Sequence, residues 1–311
     1  MKAIEAIGLE KRYGRTVAVD RVSFDVNPGD AVGLVGPNGS GKTTLLRMLA
    51  TLLKPTGGYA RVMDHDGRFQ AGKIRRLLGF MPDVAAMEDD LSVEEYLDFF
   101  GALGGLEGPE RTARTKGLLD LLDLGPVRDR STGALSRGMQ QRVALARTLV
   151  HDPSILLLDE PAANLDPKSR IELLAVLREL KRMGKTVVIS SHILPELEDL
   201  CNRIVIMKEG KLAFAGSLGE ATARFRAKAR IMVRVEGNPE KLLAALAAEP
   251  GVAAVAPQDG ELVVTLKDGQ RDFGFVARRA VELGLTLTGL REEAPGLEEI
   301  FMQLTQEKPP S

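Results

Sequence analysis

One stretch limits what this chain can fold into more than any other: Gly36-Pro37-Asn38-Gly39-Ser40-Gly41-Lys42-Thr43, followed by Thr44. It reads GxxxxGK[ST], directly after the apolar run Ala31-Val32-Gly33-Leu34-Val35, and a helical pattern continues from about Gly41 to Leu53. Strand, glycine-rich loop and helix in that order make a phosphate-binding loop. Glycines let the backbone curl into a nest whose N–H groups face an anion, and the dipole of the following helix adds to the attraction. Lys42 is placed to neutralise β- and γ-phosphates, and the Thr43 hydroxyl to ligate Mg²⁺. With both flanking elements present, a chance glycine-rich turn is a poor alternative for Gly36 to Thr44.

A second motif completes an ATPase. Ile155-Leu156-Leu157-Leu158-Asp159-Glu160 is an apolar strand ending in two carboxylates. Asp159 is read as holding Mg²⁺ through water and Glu160 as the general base for the attacking water. The run Thr186 to Ser190 reads as the next strand, and Ser190-Ser191-His192 puts an imidazole near the same edge, where open α/β sheets carry their ligands. A lone histidine is more often structural, but this position favours a γ-phosphate contact for His192. Between the two strands, Asp166-Pro167 caps a helix whose Leu173, Val176, Leu177 and Leu180 share one stripe.

The alternation of apolar runs with helical patterns predicts an α/β domain with a buried parallel sheet. Asn27-Pro28-Gly29-Asp30 reads as a turn, Leu77 to Met81 as a strand halted at Pro82, and a helical stretch begins at the capping box Ser92-Val93-Glu94-Glu95. The pattern changes near Ser217. From there the order is strand Ile231–Val235, helix Pro239–Ala247, strands Val252–Ala256 and Glu261–Leu266, helix Arg271–Leu283, strand Leu285–Leu290 and a last helix Gly296–Leu304. That order predicts a small α+β domain of ferredoxin-like type. The domains are thus 1–217, containing a helical subdomain at about 84–150, and 218–311.

Composition narrows the partners. A net charge of −1 over 311 residues gives no basic field for nucleic acid, and one cysteine, Cys201, excludes an internal disulfide and reads as a small core residue. No apolar core follows Met1-Lys2-Ala3-Ile4-Glu5 as in a signal peptide, and no run approaches the roughly 18 apolar residues of a membrane span.

Leu135-Ser136-Arg137-Gly138-Met139-Gln140-Gln141-Arg142 narrows the class of ATPase, because it resembles the LSGGQ signature of ABC transporter ATP-binding subunits. All the motifs of that family then fall in order between Ile4 and Ser217. The resemblance implies a phosphate-loop ABC ATPase core with a helical subdomain, binding ATP and Mg²⁺. It implies that Tyr13 stacks on adenine, that Asp166 belongs to the D-loop and that His192 is the switch histidine. The signature residues Leu135, Ser136, Arg137, Gly138, Met139 and Gln140 would close over the nucleotide of a second copy or homologous subunit, with the Ser136 hydroxyl and Gly138 N–H on its γ-phosphate. It further implies an integral-membrane permease partner, and hence a cytoplasmic protein peripheral on the inner face of the cell membrane.

Three positions depart from the commonest pattern. Arg137 replaces a glycine and Met139 a glutamine, as in exporters of the drug and antibiotic type. Asp83 stands where a glutamine usually joins sheet domain to helical subdomain; it is read here as a metal ligand, the competing reading being a plain loop residue. Leu91, Val93, Tyr96, Leu97, Phe99 and Phe100 gather apolar surface on one helix, mostly core, in the region that receives a permease helix in the family. The C-terminal segment, with Leu297-Glu298-Glu299-Ile300-Phe301, resembles a domain appended to many exporter ATPases, where regulation or dimer contact are its candidate roles.

A different class, the soluble ABC ATPases of DNA repair or the ribosome, fits less well. The first carry a long coiled coil splitting the ATPase, whereas Thr43 and Asp159 lie 116 residues apart without sustained heptads. The second carry two cassettes and a basic linker. A catalytically dead binding module is disfavoured by the joint presence of Lys42, Asp159, Glu160 and His192.

Overall fold

The structure, a computed structural model, describes residues 1–85, 87–191, 193–224, 230–258, 260–267, 270 and 272–293. It divides into two compact units, Met1–Leu218 and Gly219–Ser311.

The first unit opens with β1 (Ile4–Tyr13), β2 (Thr16–Val26) and β3 (Ala31–Val35), then α1 (Lys42–Leu49), β4 (Gly57–Val62), β5 (His65–Asp66), α2 (Ala71–Leu77) and β6 (Leu78–Met81). Three helices follow: α3 (Val93–Leu103), α4 (Gly108–Leu121) and α5 (Arg137–Leu149). β7 (Ile155–Asp159), α6 (Pro167–Arg182), β8 (Thr186–Ser190), α7 (Leu194–Leu200), β9 (Arg203–Lys208) and β10 (Lys211–Ser217) complete it, and α8 (Leu218–Arg224) leads on.

Two sheets share this unit. One is antiparallel, in the order β2-β1-β4-β5; the other has six strands in the order β10-β9-β3-β8-β7-β6, parallel except at β10. Every residue of β3, β7 and β8 is buried, which is why these strands read as unbroken apolar or β-branched runs instead of alternating ones. Ile155 to Leu158 are 0% exposed, and removing each such side chain from water contributes about 1.5–3 kcal/mol before entropy is counted. Truncating Leu157 to alanine would cost about 2–5 kcal/mol. At the amino end of the sheet Asp30 joins several strand starts: among its bonds, its carboxylate accepts from the Asn27 N–H and from Asn202 Nδ2, and its carbonyl accepts from the Val187 N–H. The turn at Asn27–Asp30 therefore fixes where β3, β8 and β9 begin.

The first helix is shorter than the sequence pattern suggests, ending at Leu49 and not Leu53. Thr51 turns left-handed (φ 59°), and the N–H groups of Leu52 and Leu53 both return to the Arg47 carbonyl, closing the helix with a turn. The strand expected from Leu77 starts at Leu78, because Leu77 ends α2.

In the helical region both halves of the capping box form: the Ser92 hydroxyl accepts from the Glu95 N–H and the Glu95 carboxylate from the Ser92 N–H. Val93, Tyr96 and Leu97 are fully buried, while Phe99 and Leu103 on the same helix are 49% and 67% exposed. Arg147 of α5 donates to the Tyr96 hydroxyl and lies over the Phe100 ring, which ties α5 to α3.

The second unit contains β11 (Arg230–Glu236), α9 (Pro239–Ala247), β12 (Val252–Gln258), β13 (Glu261–Leu266), α10 (Gly274–Glu282) and β14 (Thr286–Glu293). Its antiparallel sheet runs β12-β13-β11-β14, the order of a ferredoxin-like βαββαβ sandwich. Ile231, Val233, Leu262 and Val264 of the sheet bury one face with Leu242, Leu246 and Val276 of the helices. Pro257 is tolerated because β12 is an edge strand. The helix expected at 296–304 lies outside the described residues.

Candidate nucleotide site

The phosphate loop is built by exclusion. A Cβ on Gly36 would sit 2.4 Å from Ser40 Oγ and 2.5 Å from the Met207 carbonyl oxygen. Gly41, at φ 101°, would bring a Cβ to 2.4 Å from the Ala18 carbonyl oxygen of β2. Only glycine closes the loop against β2 and β9 at these two points, and α1 starts immediately afterwards. The Ser40 hydroxyl is buried inside the loop without a hydrogen-bond partner.

Lys42 is 6% exposed and folds back under the loop, donating to the Gly36 carbonyl at 2.7 Å and to the Pro37 carbonyl at 3.4 Å. Its ammonium lies 3.9 Å from Glu160 Oε1. Burial pushes its pKa down, partly opposed by the nearby carboxylates of Glu160 and Asp159. A charge held this way is a desolvated cation aimed at the loop, stronger toward an anion than a solvated surface lysine.

The carboxyl ends of β7 and β8 close the other side. Asp159 pairs with Ser190 in the sheet register and is 2% exposed. Glu160, one residue on, adopts a left-handed backbone (φ 47°) that turns the chain out of the strand. A non-glycine residue there costs of order 1–3 kcal/mol, a strain typical of functional turns. A cavity of ≈ 270 Å³ opens in front, walled by the loop from Asn38 to Thr44 together with Ala18, Asp83 and Glu160. A larger recess of ≈ 500 Å³ at the far end of α1, lined by Met48, Leu53, Tyr59 and Phe69 among others, has no carboxylate among the described residues of its wall.

The structure thus brings Lys42, Thr43, Thr44, Asp83 and Glu160 to one cavity, with Asp159 buried behind Glu160 and outside the wall. Tyr13 stands apart on the β1–β2 hairpin, 52% exposed, with the Lys11 ammonium 5.3 Å from its ring centre. His192 lies outside the described residues.

The segment Leu135 to Gln140 forms no part of the cavity wall. Leu135 is buried, and Ser136 caps α5, its hydroxyl accepting from the Met139 N–H. Gln140 reaches back to the Thr132 carbonyl, and Gly138 is hemmed in by Ser169, whose Oγ lies 2.7 Å from where a Cβ would be. Ser136, Arg137 and Met139 are exposed, so the amino end of α5 faces outward. Asp166 caps α6: its carboxylate accepts from the Lys168 and Ser169 N–H groups and the Ser169 hydroxyl, and the latter bond leads in holding its pKa below the usual carboxylate value.

Three hydrogen bonds escape the sequence reading. Gln141 Nε2 donates to the Pro161 carbonyl, tying α5 to the turn after Glu160. Ser190 Oγ lies between the paired acids, donating to Asp159 Oδ1 and accepting from the Glu160 N–H, both at 2.8 Å. The available signal was a hydroxyl ending the apolar run Val187-Val188-Ile189.

Comparison with known proteins identifies the family. The family described as ABC transporter matches residues 19–163. The chain is 34% identical to the uncharacterized ABC transporter ATP-binding protein YxlF of Bacillus subtilis (strain 168), over 98% of this chain and 99% of that protein. It is also 34% identical to the daunorubicin/doxorubicin resistance ATP-binding protein DrrA of Streptomyces peucetius, over 98% and 92%. Among solved structures, a dimeric post-hydrolysis state of the ATP-binding cassette MJ0796 bound to ADP and Pi superposes with a TM-score of 0.64, at 28% identity, over 69% of this chain and 98% of that one. A glycine-rich loop and Glu160 lining one cavity at the carboxyl edge of a parallel sheet, together with near-full-length relatives of this kind, place the chain among the ATP-binding, ATP-hydrolysing proteins of ABC transporters.

Proposed function

We propose that two copies of this chain, or one copy and a homologous subunit, enclose ATP between the phosphate loop of one and the signature segment of the other. The observation that carries this reading is the division of the motifs. Lys42, Thr43, Asp83 and Glu160 meet at one cavity, while the capped, outward-facing end of α5 at Ser136 stays off its wall. A second chain is the natural source of the missing half. Phosphate oxygens would take the loop N–H groups, the Lys42 ammonium and the orphaned Ser40 hydroxyl. Tyr13 would stack on the base, and Ser136 and the Gly138 N–H would close on the γ-phosphate, with Asp166 at the seam.

Thr43, Asp83 and Asp159 supply hard oxygen donors suited to Mg²⁺. Among the described residues no cluster of three or more His, Cys, Asp or Glu could hold a metal alone, so such an ion would depend on nucleotide phosphates as well. When bound it neutralises charge on the phosphates. Glu160 takes a proton from water as the water oxygen bonds to the γ-phosphorus, while the bond to the β-phosphate oxygen breaks and ADP leaves. His192 is assigned to the γ-phosphate by its place after β8.

Within this reading residues 1–217 are the motor, with the helical subdomain at about 84–150, and residues 218–311 an accessory α+β domain. Among the described residues no helix is long and apolar enough to cross a membrane. The permease implied by the family would dock on a surface that includes the exposed Phe99 and Leu103 of α3, with the motor held on the inner face of the cell membrane. Export is supported by the relative named for daunorubicin and doxorubicin resistance. The test is Glu160→Gln. It should bind MgATP normally, hydrolyse it at least ~10²-fold more slowly and accumulate as an ATP-bound dimer on gel filtration. Near-normal turnover would remove Glu160 from the mechanism.

A further inference from the structure

Strand β8 lies between β3, which feeds the phosphate loop, and β7, which ends in the paired acids. Its last residue, Ser190, is fully buried and has a single hydroxyl proton. That proton goes to Asp159 Oδ1 at 2.8 Å, and a lone pair of the same oxygen takes the Glu160 N–H at 2.8 Å. One atom therefore fixes both acids, each in a different way: the first by its carboxylate, the second by its backbone. The second bond falls on the residue that needs holding, since Glu160 leaves the strand in a left-handed conformation (φ 47°).

We infer that Ser190 is a positioning residue for hydrolysis: its hydroxyl orients the Asp159 carboxylate and anchors the strained turn that presents Glu160 to the water. This rests on the reading of Asp159 and Glu160 given above. Two alternatives weigh less. A buried serine at a strand end can be a simple filler, but a filler does not bond to both members of an acidic pair. It can also serve only to satisfy a buried polar group, but the Asp159 carboxylate is an acceptor that a backbone N–H could satisfy as well. The hydroxyl alone can donate to one acid and accept from its neighbour at once.

Ser190→Ala removes both bonds without adding bulk. The Asp159 oxygen loses this donor, the Glu160 N–H loses this acceptor, and the turn is freer to relax away from φ 47°. Substrate binding rests on the phosphate loop and is spared. The expected result is a fall in kcat of about tenfold, with KM for ATP within about twofold and a higher Mg²⁺ concentration for half-maximal rate. Ser190→Thr, which keeps the hydroxyl, should retain at least about half of wild-type turnover. Thr186→Val serves as the structural comparison. Thr186 starts the same strand, is 1% exposed, and accepts from the Gly29 N–H at 3.0 Å, far from the acids. It should lower the unfolding midpoint about as much as Ser190→Ala while leaving kcat and the Mg²⁺ dependence unchanged. Equal kcat in Ser190→Ala and wild type overturns the inference. So does an equal loss of kcat in Ser190→Ala and Thr186→Val, or a Ser190→Thr variant as slow as Ser190→Ala. Wild-type protein unable to hydrolyse MgATP removes the reading of the acids and this inference with it, whereas normal wild-type turnover that Ser190→Ala leaves intact removes this inference alone.

Discussion

Gly41→Ala tests the phosphate loop through its backbone, without touching a charge. Gly41 sits at φ 101°, ψ 4°, where an alanine costs about 1–2 kcal/mol in local sterics. Its new Cβ would also lie 2.4 Å from the Ala18 carbonyl oxygen, with Met207 and Val19 side-chain carbons at 3.3 Å, so neither partner has a free direction in which to yield. Restoring an ordinary contact requires a loop shift of the better part of an ångström, an overpacking cost of about 1–3 kcal/mol. Together these give about 2–5 kcal/mol. If the loop holds its shape the cost appears as stability, a fall of very roughly 4–20 °C in the unfolding midpoint. If the loop gives way it appears in nucleotide affinity, from about thirty-fold to a few thousand-fold. Calorimetric melting and MgATP titration of the same preparation measure both shares. Gly39→Ala is the matched comparison: its φ is 79° but, its chain neighbours aside, none of the described residues comes within 4 Å of the added Cβ, so only the local strain applies. The reasoning fails if Gly41→Ala melts and binds MgATP like the wild type, or if Gly39→Ala is equally impaired.

Asp83→Ala should reduce hydrolysis much more than ATP binding, and Asp83→Gln should keep substantial activity; full turnover and coupling in Asp83→Ala would make Asp83 a plain loop residue. Dimers mixed from a Lys42→Ala copy and a Ser136→Ala copy should hold nucleotide normally at one of two sites, because both lesions then share a single composite site. Damage at both sites would point to signature and loop acting within one chain. His151, whose Nε2 lies 3.2 Å from the Leu78 carbonyl oxygen, has its pKa pushed below the ordinary 6.5 chiefly by burial. The unfolded chain then takes up this proton more readily than the folded one, so stability present above pH 6.5 is lost as pH falls toward the folded value. His151→Gln should flatten that slope in thermal melts from pH 7.5 to about 5, and an unchanged slope would exclude His151 as its source.

The sequence by itself determined what is local. The glycine pattern from Gly36 to Thr43 could serve only a tight loop between strand and helix, and the observed φ of 101° at Gly41 is the backbone reason. Ser92 and Glu95 announced a helix start, and so did Asp166 before Pro167, because a cap is a contract between residues three apart. The unbroken runs at Ala31–Val35, Ile155–Leu158 and Thr186–Ser190 announced strands buried on both faces. The antiparallel sheet was less legible. In β1 the pairing register slips three times between Ala6 and Arg12, around a left-handed Gly8, so the apolar spacing never settles into alternation. The end of α1 was hidden as well, since Leu52 and Leu53 continue an apolar pattern that the turn at Thr51 has already broken. Only the tertiary structure decided sheet order. Strands β3, β7 and β8 are apolar on both faces, so nothing in their patterns says which should be neighbours. Long-range packing places β8 between the other two, and that order carries Ser190 to the paired acids 30 residues earlier in the chain. It also gathers Lys42, Asp83 and Glu160, distant in sequence, around one cavity. Motifs are written in short spans of chain; their meeting depends on contacts across the whole sheet, which no local span encodes.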